Sequence, residues 1–420
     1  MDDNAAHLRS IDVTRQRNER LTRVGADTPM GRYMRRFWHP IAASVQLKKD
    51  ADIPVIPVKL LGERLALFRC EDDSLGLVAE RCPHRGAALS YGIVEDDCIR
   101  CPYHAWKFTK EGRCVDQPAE HDAARMKETL RINAYPVQEL GGLIWAYLGP
   151  TPAPLLPRYE FVVREDYDHD IGISRMPCNW LQVAENTMDP VHIEYLHMGY
   201  TNYVRKRKGL STVPLRKHKK LAFEPFEYGI IKKRLWEGDG DDSPEWTIGH
   251  PQIFPATAQV SYHNGWVQFQ IRVPVDDTNT IIYWYNCRPH KVGEPPQKEV
   301  PLWENPWANE EGKYMPDQLN AQDMMVMISQ GEITDHTLEH LGRSDRGVAL
   351  YRATLLQQID RVERGEDPLG VVRDPAKNTP WIPLPIEPEL SFAFNGVQAS
   401  AAYDAPQVDL LKNAKRESAE

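Results

Sequence analysis

The sequence predicts an α+β protein: an N-terminal all-β domain, then a C-terminal domain in which helices cover an antiparallel sheet. Three observations lead there. From Ile53 the apolar residues recur with period two, in runs separated by Gly62 and by Glu71-Asp72-Asp73-Ser74. A Pro-rich stretch, Gly149-Pro150-Thr151-Pro152-Ala153-Pro154, then closes the β region. Beyond it, helical and strand patterns mix. At 420 residues the chain is long enough for two such units, each with its own core.

Taken in order, residues 1–40 read as a helical arm, with a turn at Thr28-Pro29-Met30-Gly31 and a short amphipathic run from Arg32 to Trp38. The all-β domain is assigned to 41–150. Its predicted strands are 55–61, 63–68 and 75–80, with a further hairpin starting at 106–109 and turning at Lys110-Glu111-Gly112. Its last strand is 143–148. The second domain is assigned to 155–400. It has a predicted helix over 179–196, strands over 229–236, 259–262, 266–273 and 280–286, and helices over 318–330 and 347–364. A charged tail, 401–420, follows.

Composition narrows the function. Hydrophobic residues make up 41% and charged residues 26%, as in an ordinary globular protein. A net charge of −9 argues against nucleic acid as the main partner. The N-terminus is polar and charged through Arg23, and no stretch approaches 18 apolar residues, so neither a signal peptide nor a membrane span is expected. The seven cysteines show no disulfide-framework spacing, which fits a reducing cytoplasm.

Two of those cysteines stand in the stretch that organises the chain. Cys82-Pro83-His84 is followed, after a gap of sixteen residues, by Cys101-Pro102-Tyr103-His104. Two thiolates and two imidazoles in matched pairs are the ligands of a [2Fe–2S] cluster with one Cys₂ iron and one His₂ iron. Neutral imidazoles in place of two thiolates raise the potential of such a cluster. Each pair must sit at the tip of a tight loop; Pro83 and Pro102 fix φ there, and Gly86 frees the chain after the first pair. The alternative is a structural zinc site, for which Cys₂His₂ also suffices. Zinc fingers pair Cys with Cys and His with His along the chain, whereas here each pair is mixed, which is the Rieske order.

A second constellation follows the linker. Asp189-x-x-His192-x-x-x-x-His197 sits inside the predicted 179–196 helix and just beyond it, preceded by Asn179-Trp180 and Glu185-Asn186. Two His and one carboxylate on one face of an iron leave positions open for O₂ and substrate. Residues five apart diverge on a regular α-helix, so the helix must end or take a π-type distortion near Tyr195 for both His to reach one metal. Two solvated or core histidines are the plainer reading of an isolated H-x₄-H. The third ligand must be a carboxylate far downstream. Asp323 is the preferred candidate, between apolar neighbours on a predicted helix, with Asp317 and Asp335 as rivals. The methionines at 324, 325 and 327 suit core packing better than a pocket. The basic runs Arg205 to Lys208 and Arg216 to Lys220 suit carboxylate capture, docking of an acidic electron donor, or a solvated loop.

These motifs resemble those of the Rieske non-haem iron oxygenases. The likeness extends to L-T-R-V-G-A-D-T-P-M-G at 21–31, G-G-L-I-W-A-Y-L-G-P at 141–150, V-P-V-D-D-T-N at 273–279 and E-H-L-G-R-S-D at 339–345, so it covers nearly the whole chain. The set is similar to the α-only phthalate dioxygenase branch, which includes aryl-carboxylate dioxygenases and O-demethylases. The resemblance implies that Cys82, His84, Cys101 and His104 hold the cluster and that His192, His197 and Asp323 hold Fe(II). It implies a head-to-tail homotrimer, or a dimer of trimers. In it His104 of one subunit donates to Asp189 of the next, and Asp189 contacts His192 as the electron bridge. The plainer role for Asp189 is to cap or buttress a helix. Electrons would come from NAD(P)H through a separate reductase, with or without a ferredoxin. The iron motif A-E-N-T-M-D-P-V-H lacks the glycine-rich version of phthalate dioxygenases. That points to a larger methoxylated aromatic carboxylate, such as 5,5′-dehydrodivanillate, undergoing O-demethylation. The alternative is cis-dihydroxylation of a phthalate-like acid. An electron carrier without catalysis is a distant third: respiratory Rieske proteins place an extra cysteine in each loop, where this chain has Ala87 and Tyr103.

Overall fold

The structure, a computed structural model, describes residues 2–121 and 127–388, so the charged tail at 401–420 and the end of the second assigned domain lie outside the described residues. Helix α1 (Asp2–Thr22) leads into α2 (Pro29–Met34). The Thr28 hydroxyl caps α2 by accepting from the Gly31 N–H at 3.0 Å, and Pro29 fills a first-turn position where no N–H is needed. The helical arm ends earlier than expected: Trp38–Ala43 is strand β1, not helix. Its register against the later strand 143–147 sets Trp38 opposite Tyr147 and buries both, and that packing overrides the amphipathic pattern.

The period-two runs fold as strands. β2 (Val55–Leu60), β3 (Glu63–Arg69) and β4 (Leu75–Ala79) form one antiparallel sheet. β5 (Ile93–Glu95), β6 (Cys98–Arg100), β7 (Lys107–Thr109) and β8 (Cys114–Asp116) form a second. β9 (Val137–Leu140) and β10 (Leu143–Tyr147) join β1 in a third. A shared core of Val55, Phe68, Val78, Ile99 and Phe108 lies beneath the two cysteine loops and includes Cys82, Cys101 and Trp106.

The C-terminal half is built on an eight-stranded sheet. Its strands are β11 (Tyr167–Met176), β12 (His218–Phe226), β13 (Gly229–Trp236), β14 (His250–Ile253), β15 (Thr257–Ser261), β16 (Val267–Pro274), β17 (Thr280–Pro289) and β18 (Leu302–Glu304). The order is β12-β13-β14-β15-β16-β17-β11-β18, antiparallel except for the β11–β18 pair. Three helices pack on it: α3 (Trp180–Glu185), α4 (Leu319–Ser329) and α5 (Arg346–Glu363). Ile282 and Trp284 of β17 meet Val183 of α3 and Met324 and Met327 of α4, so these methionines are core residues. The expected single helix over 179–196 is three pieces. After α3 comes a 3₁₀ turn (Asn186–Met188), and after Asp189-Pro190 a π-helical segment (Ile193–Tyr200).

Candidate metal centres

The two cysteine loops are built alike. The Cys82 N–H donates to the Ala87 carbonyl at 2.9 Å and the Gly86 N–H to the Cys82 carbonyl at 2.8 Å. In the second loop the Cys101 N–H donates to the Trp106 carbonyl at 2.8 Å and the Ala105 N–H to the Cys101 carbonyl at 3.0 Å. Gly86 and Ala105 hold the same place in each loop and both are left-handed, with φ of 75° and 61°. The result sets the His84 and His104 rings 4.5 Å apart, with His84 stacked on Trp106 at 4.5 Å. Both thiols are buried and free. Burial first, and Cys101 beside it, push the Cys82 thiol up to about 11. The Nδ1 of His84 is buried without a hydrogen-bond partner. Two adjoining soft ligands and an orphaned imidazole nitrogen fit a metal cluster, whose cations would deprotonate the thiols and occupy the nitrogen.

The second constellation also closes. The ligand atoms of His192, His197 and Asp323 all lie within 4.8 Å of one another. His197 Nε2 is 3.1 Å and His192 Nε2 3.6 Å from the same Asp323 oxygen. The π segment is the device: i→i+5 hydrogen bonding returns residues five apart to one side. Of the rival aspartates, Asp317 pairs with Lys208, and Asp335 accepts from the Thr337 N–H at 2.9 Å, so neither joins the histidines. Burial pushes the Asp323 carboxyl up, but the two imidazoles outweigh it and hold it below the ordinary carboxylate range. Each histidine is held from its far nitrogen. His197 Nδ1 faces Gln322 Oε1 at 3.0 Å, and His192 Nδ1 faces the Asp189 carbonyl. Such partners leave both Nε2 atoms free to bind a metal. Two imidazoles and one carboxylate, converging with His197 buried and the other two half-buried, fit non-haem iron.

Asp189 takes part twice. One carboxylate oxygen accepts from the Val191 N–H at 2.9 Å, and the other lies 3.7 Å from His192 Nδ1. Nothing in the sequence assigns a role to Gln322 or to Asn186, whose amide donates to Asp323 at 3.1 Å. Neither sits at a spacing that advertises contact with a ligand. A further group of possible ligands, Glu185, His336 and Glu339, is filled by the Arg352 guanidinium, which contacts Glu185 at 2.6 Å and Glu339 at 2.5 Å. Half of the lysines and arginines in the basic runs are spent on the local partners shown here: Arg205 on Ser211, Lys208 on Asp317, Arg216 on Asp239 and Lys220 on Asp241.

Residues 37–136 match the Rieske [2Fe–2S] domain family. The chain is 39% identical over 378 residues to the 5,5′-dehydrodivanillate O-demethylase oxygenase subunit of Sphingobium sp. (strain NBRC 103272 / SYK-6), covering 89% of this chain and 86% of that protein. The chain belongs to the Rieske non-haem iron oxygenases. It is also 32% identical to phenoxybenzoate dioxygenase subunit alpha of Ectopseudomonas oleovorans, over 84% of this chain and 87% of that one. Its fold is that of the oxygenase in a ferredoxin complex of carbazole 1,9a-dioxygenase, with a TM-score of 0.56, 18% identity, and coverage of 82% and 92% of the two chains. As a Rieske oxygenase this protein is an enzyme, the terminal component of a system that uses a Rieske cluster and non-haem iron. Such a subunit depends on a separate electron-donating partner. Among the described residues, no helix is long and apolar enough to cross a membrane.

Proposed function

We propose that this oxygenase O-demethylates a methoxylated aromatic carboxylate of the 5,5′-dehydrodivanillate type. The observation that carries the reading is 39% identity, over most of both chains, to an oxygenase subunit with that activity. Atoms and electrons balance as aryl methyl ether, O₂, two electrons and two protons giving phenol, formaldehyde and water. In this reading Cys82, His84, Cys101 and His104 hold the cluster, and His192, His197 and Asp323 hold iron. The bound groups supply electron storage and O₂ activation.

The chain's own residues prepare the site for them. Gln322 and the Asp189 carbonyl fix the two imidazoles as Nδ1–H tautomers, so that Nε2 of each is presented beside Asp323. Asn186 steadies the Asp323 carboxylate through one oxygen. Asp189, against His192 and about one-third exposed, is suited to accept a hydrogen bond from His104 of a neighbouring subunit in a homotrimer. Electrons would come from NAD(P)H through a reductase, with a ferredoxin as a carrier by analogy with the carbazole 1,9a-dioxygenase complex. Seven free, buried cysteines suit a reducing cytoplasm. We take 41–150 and 155–400 as the two functional units.

A second reading, ring cis-dihydroxylation of an aromatic acid, draws on the 32% identity to a dioxygenase α subunit. Aerobic turnover with a surrogate reductase separates the two. Formaldehyde released one-to-one with O₂ from a methoxylated acid is expected. O₂ uptake with a dihydroxylated ring and no formaldehyde would replace demethylation by dihydroxylation.

A further inference from the structure

Two cations are buried in the catalytic sheet without a carboxylate partner among the described residues. Lys232 of β13 is 4% exposed and donates only to the Thr187 carbonyl, at 2.5 Å. Arg272 of β16 is 3% exposed and donates only to Gln270, through its backbone carbonyl at 3.0 Å and its side chain at 2.7 Å; its Nε is buried with no partner. Other buried charges nearby are matched. Arg234 meets Glu245 at 2.5 Å, and His250 meets Glu387 at 2.9 Å. A cation taken from water without a counter-ion is strongly disfavoured, which favours either loss of its proton or the arrival of an anion. The cost is visible in both groups. Burial lowers Lys232 to about 7 and Arg272 to about 10. Each Lys232 influence after burial is a charge at a distance: Arg234 and Arg272 lower it, Asp189 and Glu387 raise it.

The two cations lie on the sheet face that α3 and α4 cover. Lys232 lies opposite His250, Gln252 opposite Ala258, and Ala258 opposite Gln270. Since side chains alternate along a strand, Lys232, Gln252, Gln270 and Arg272 share one face of the sheet. Trp284 and Ile282, the partners of Gln270 and Arg272, meet α3 and α4 on that face, and α4 carries Asp323. The Asp323 charge is felt at Arg272, and Lys232 touches the turn that ends at Asp189.

We propose that Lys232 and Arg272 receive the carboxylates of an aromatic diacid, which binds with its acid groups on the sheet and its ether carbon toward His192, His197 and Asp323. This rests on the aromatic-acid reading of the substrate. Two separated cations favour two carboxylates over one. The plainer role of Lys232 is to hold the Thr187 turn, in which case neutral and anionic ligands would suffer alike from its loss.

Calorimetry on the oxidised holoenzyme tests this with two unreactive probes, biphenyl-3,3′-dicarboxylate and its dimethyl ester. Wild-type protein should bind the diacid roughly 30-fold or more tighter than the ester. Lys232→Met and Arg272→Met should each lose roughly 30-fold or more for the diacid and less than about twofold for the ester. Equal losses for both probes at normal iron content, or a wild-type protein that does not prefer the diacid, would overturn the proposal. If a Met variant loses its cluster colour, the charge-keeping Lys232→Arg and Arg272→Lys variants decide: preference for the diacid supports the site, and its loss overturns it. Binding is read without turnover. A protein that binds the diacid yet releases no formaldehyde from any methoxylated acid therefore disproves demethylation and leaves the anion site standing.

Discussion

At the scale of single residues, Gln322 is the sharpest case. Its Oε1 faces His197 Nδ1, while its amide donates to Thr201 at 2.9 Å and to the Pro316 carbonyl at 2.7 Å, so the oxygen cannot turn away. Gln322→Ala should weaken iron retention by about 10–100-fold while leaving the cluster absorption unchanged. An unaltered iron-to-cluster ratio after dialysis against chelator would remove the positioning role. His39 makes a different prediction. It is buried and its Nε2 bonds to the Met34 carbonyl at 2.8 Å. Burial first, with Arg35 adding to it, lowers His39 from 6.5 to about 4. Between those values the unfolded chain binds the proton and the folded chain does not. Stability therefore falls as pH drops through that window, by about 3 kcal/mol at most from this group. Denaturant unfolding at pH 7 and pH 5 should show a smaller loss in His39→Gln than in the parent; equal losses would exclude the effect.

At the scale of elements, two backbone devices make the sites. In the cluster loops, Gly86 and Ala105 both adopt left-handed φ four residues after a cysteine. Nothing lies within 4 Å of where a Gly86 side chain would go, so Gly86→Ala should cost only backbone strain, about 1 kcal/mol. Ala105→Gly should relieve a similar strain in the matching loop. Thermal melts of the pair should shift in opposite directions, and a large loss in either would mean the loops resist for another reason. In the candidate iron site the π segment aligns His192 and His197. It is braced from the sheet by Glu194, which accepts from the His218 backbone N–H at 2.8 Å and pairs with its ring at 2.6 Å. His218 is in turn stacked on Trp236 at 3.9 Å. That brace explains how a costly helix form persists where the two histidines converge.

At the scale of the whole molecule, the prediction concerns assembly. If Asp189 bridges subunits, a chain that lacks a cluster and a chain that lacks iron can complement each other. Cys101→Ser and Asp323→Ala should each be inactive alone, and co-expression should restore a measurable fraction of turnover. No recovery from mixed oligomers of normal size would rule out electron transfer between subunits. Asp189→Asn should keep both metals and lose turnover, whereas full metal occupancy with normal activity would end the bridging role.

The sequence by itself determined the chemistry that is local along the chain. Cys82-x-His84 and Cys101-x-x-His104 stand on two short loops, so spacing alone points to a candidate donor set. The five-residue step from His192 to His197 likewise demands a distorted helix if both imidazoles are to reach one metal. Period two marks β2, β3 and β13 because each buries alternate residues or a continuous apolar face. β11 is not legible: Asp168, His169 and Asp170 interrupt its apolar pattern, and Asp170 is tolerated only because Asn286, Arg288 and Trp303 bond to it in the fold. β12 is hidden by its lysines and Pro225, residues suited to an edge strand. The sequence already preferred Asp323; the tertiary structure brought it, rather than Asp317 or Asp335, to the two histidines, paired Gln322 with His197, and left Lys232 and Arg272 buried without a carboxylate among the described residues. Those outcomes depend on which distant segments pack together and which buried charges find partners, and neither is written in local spacing.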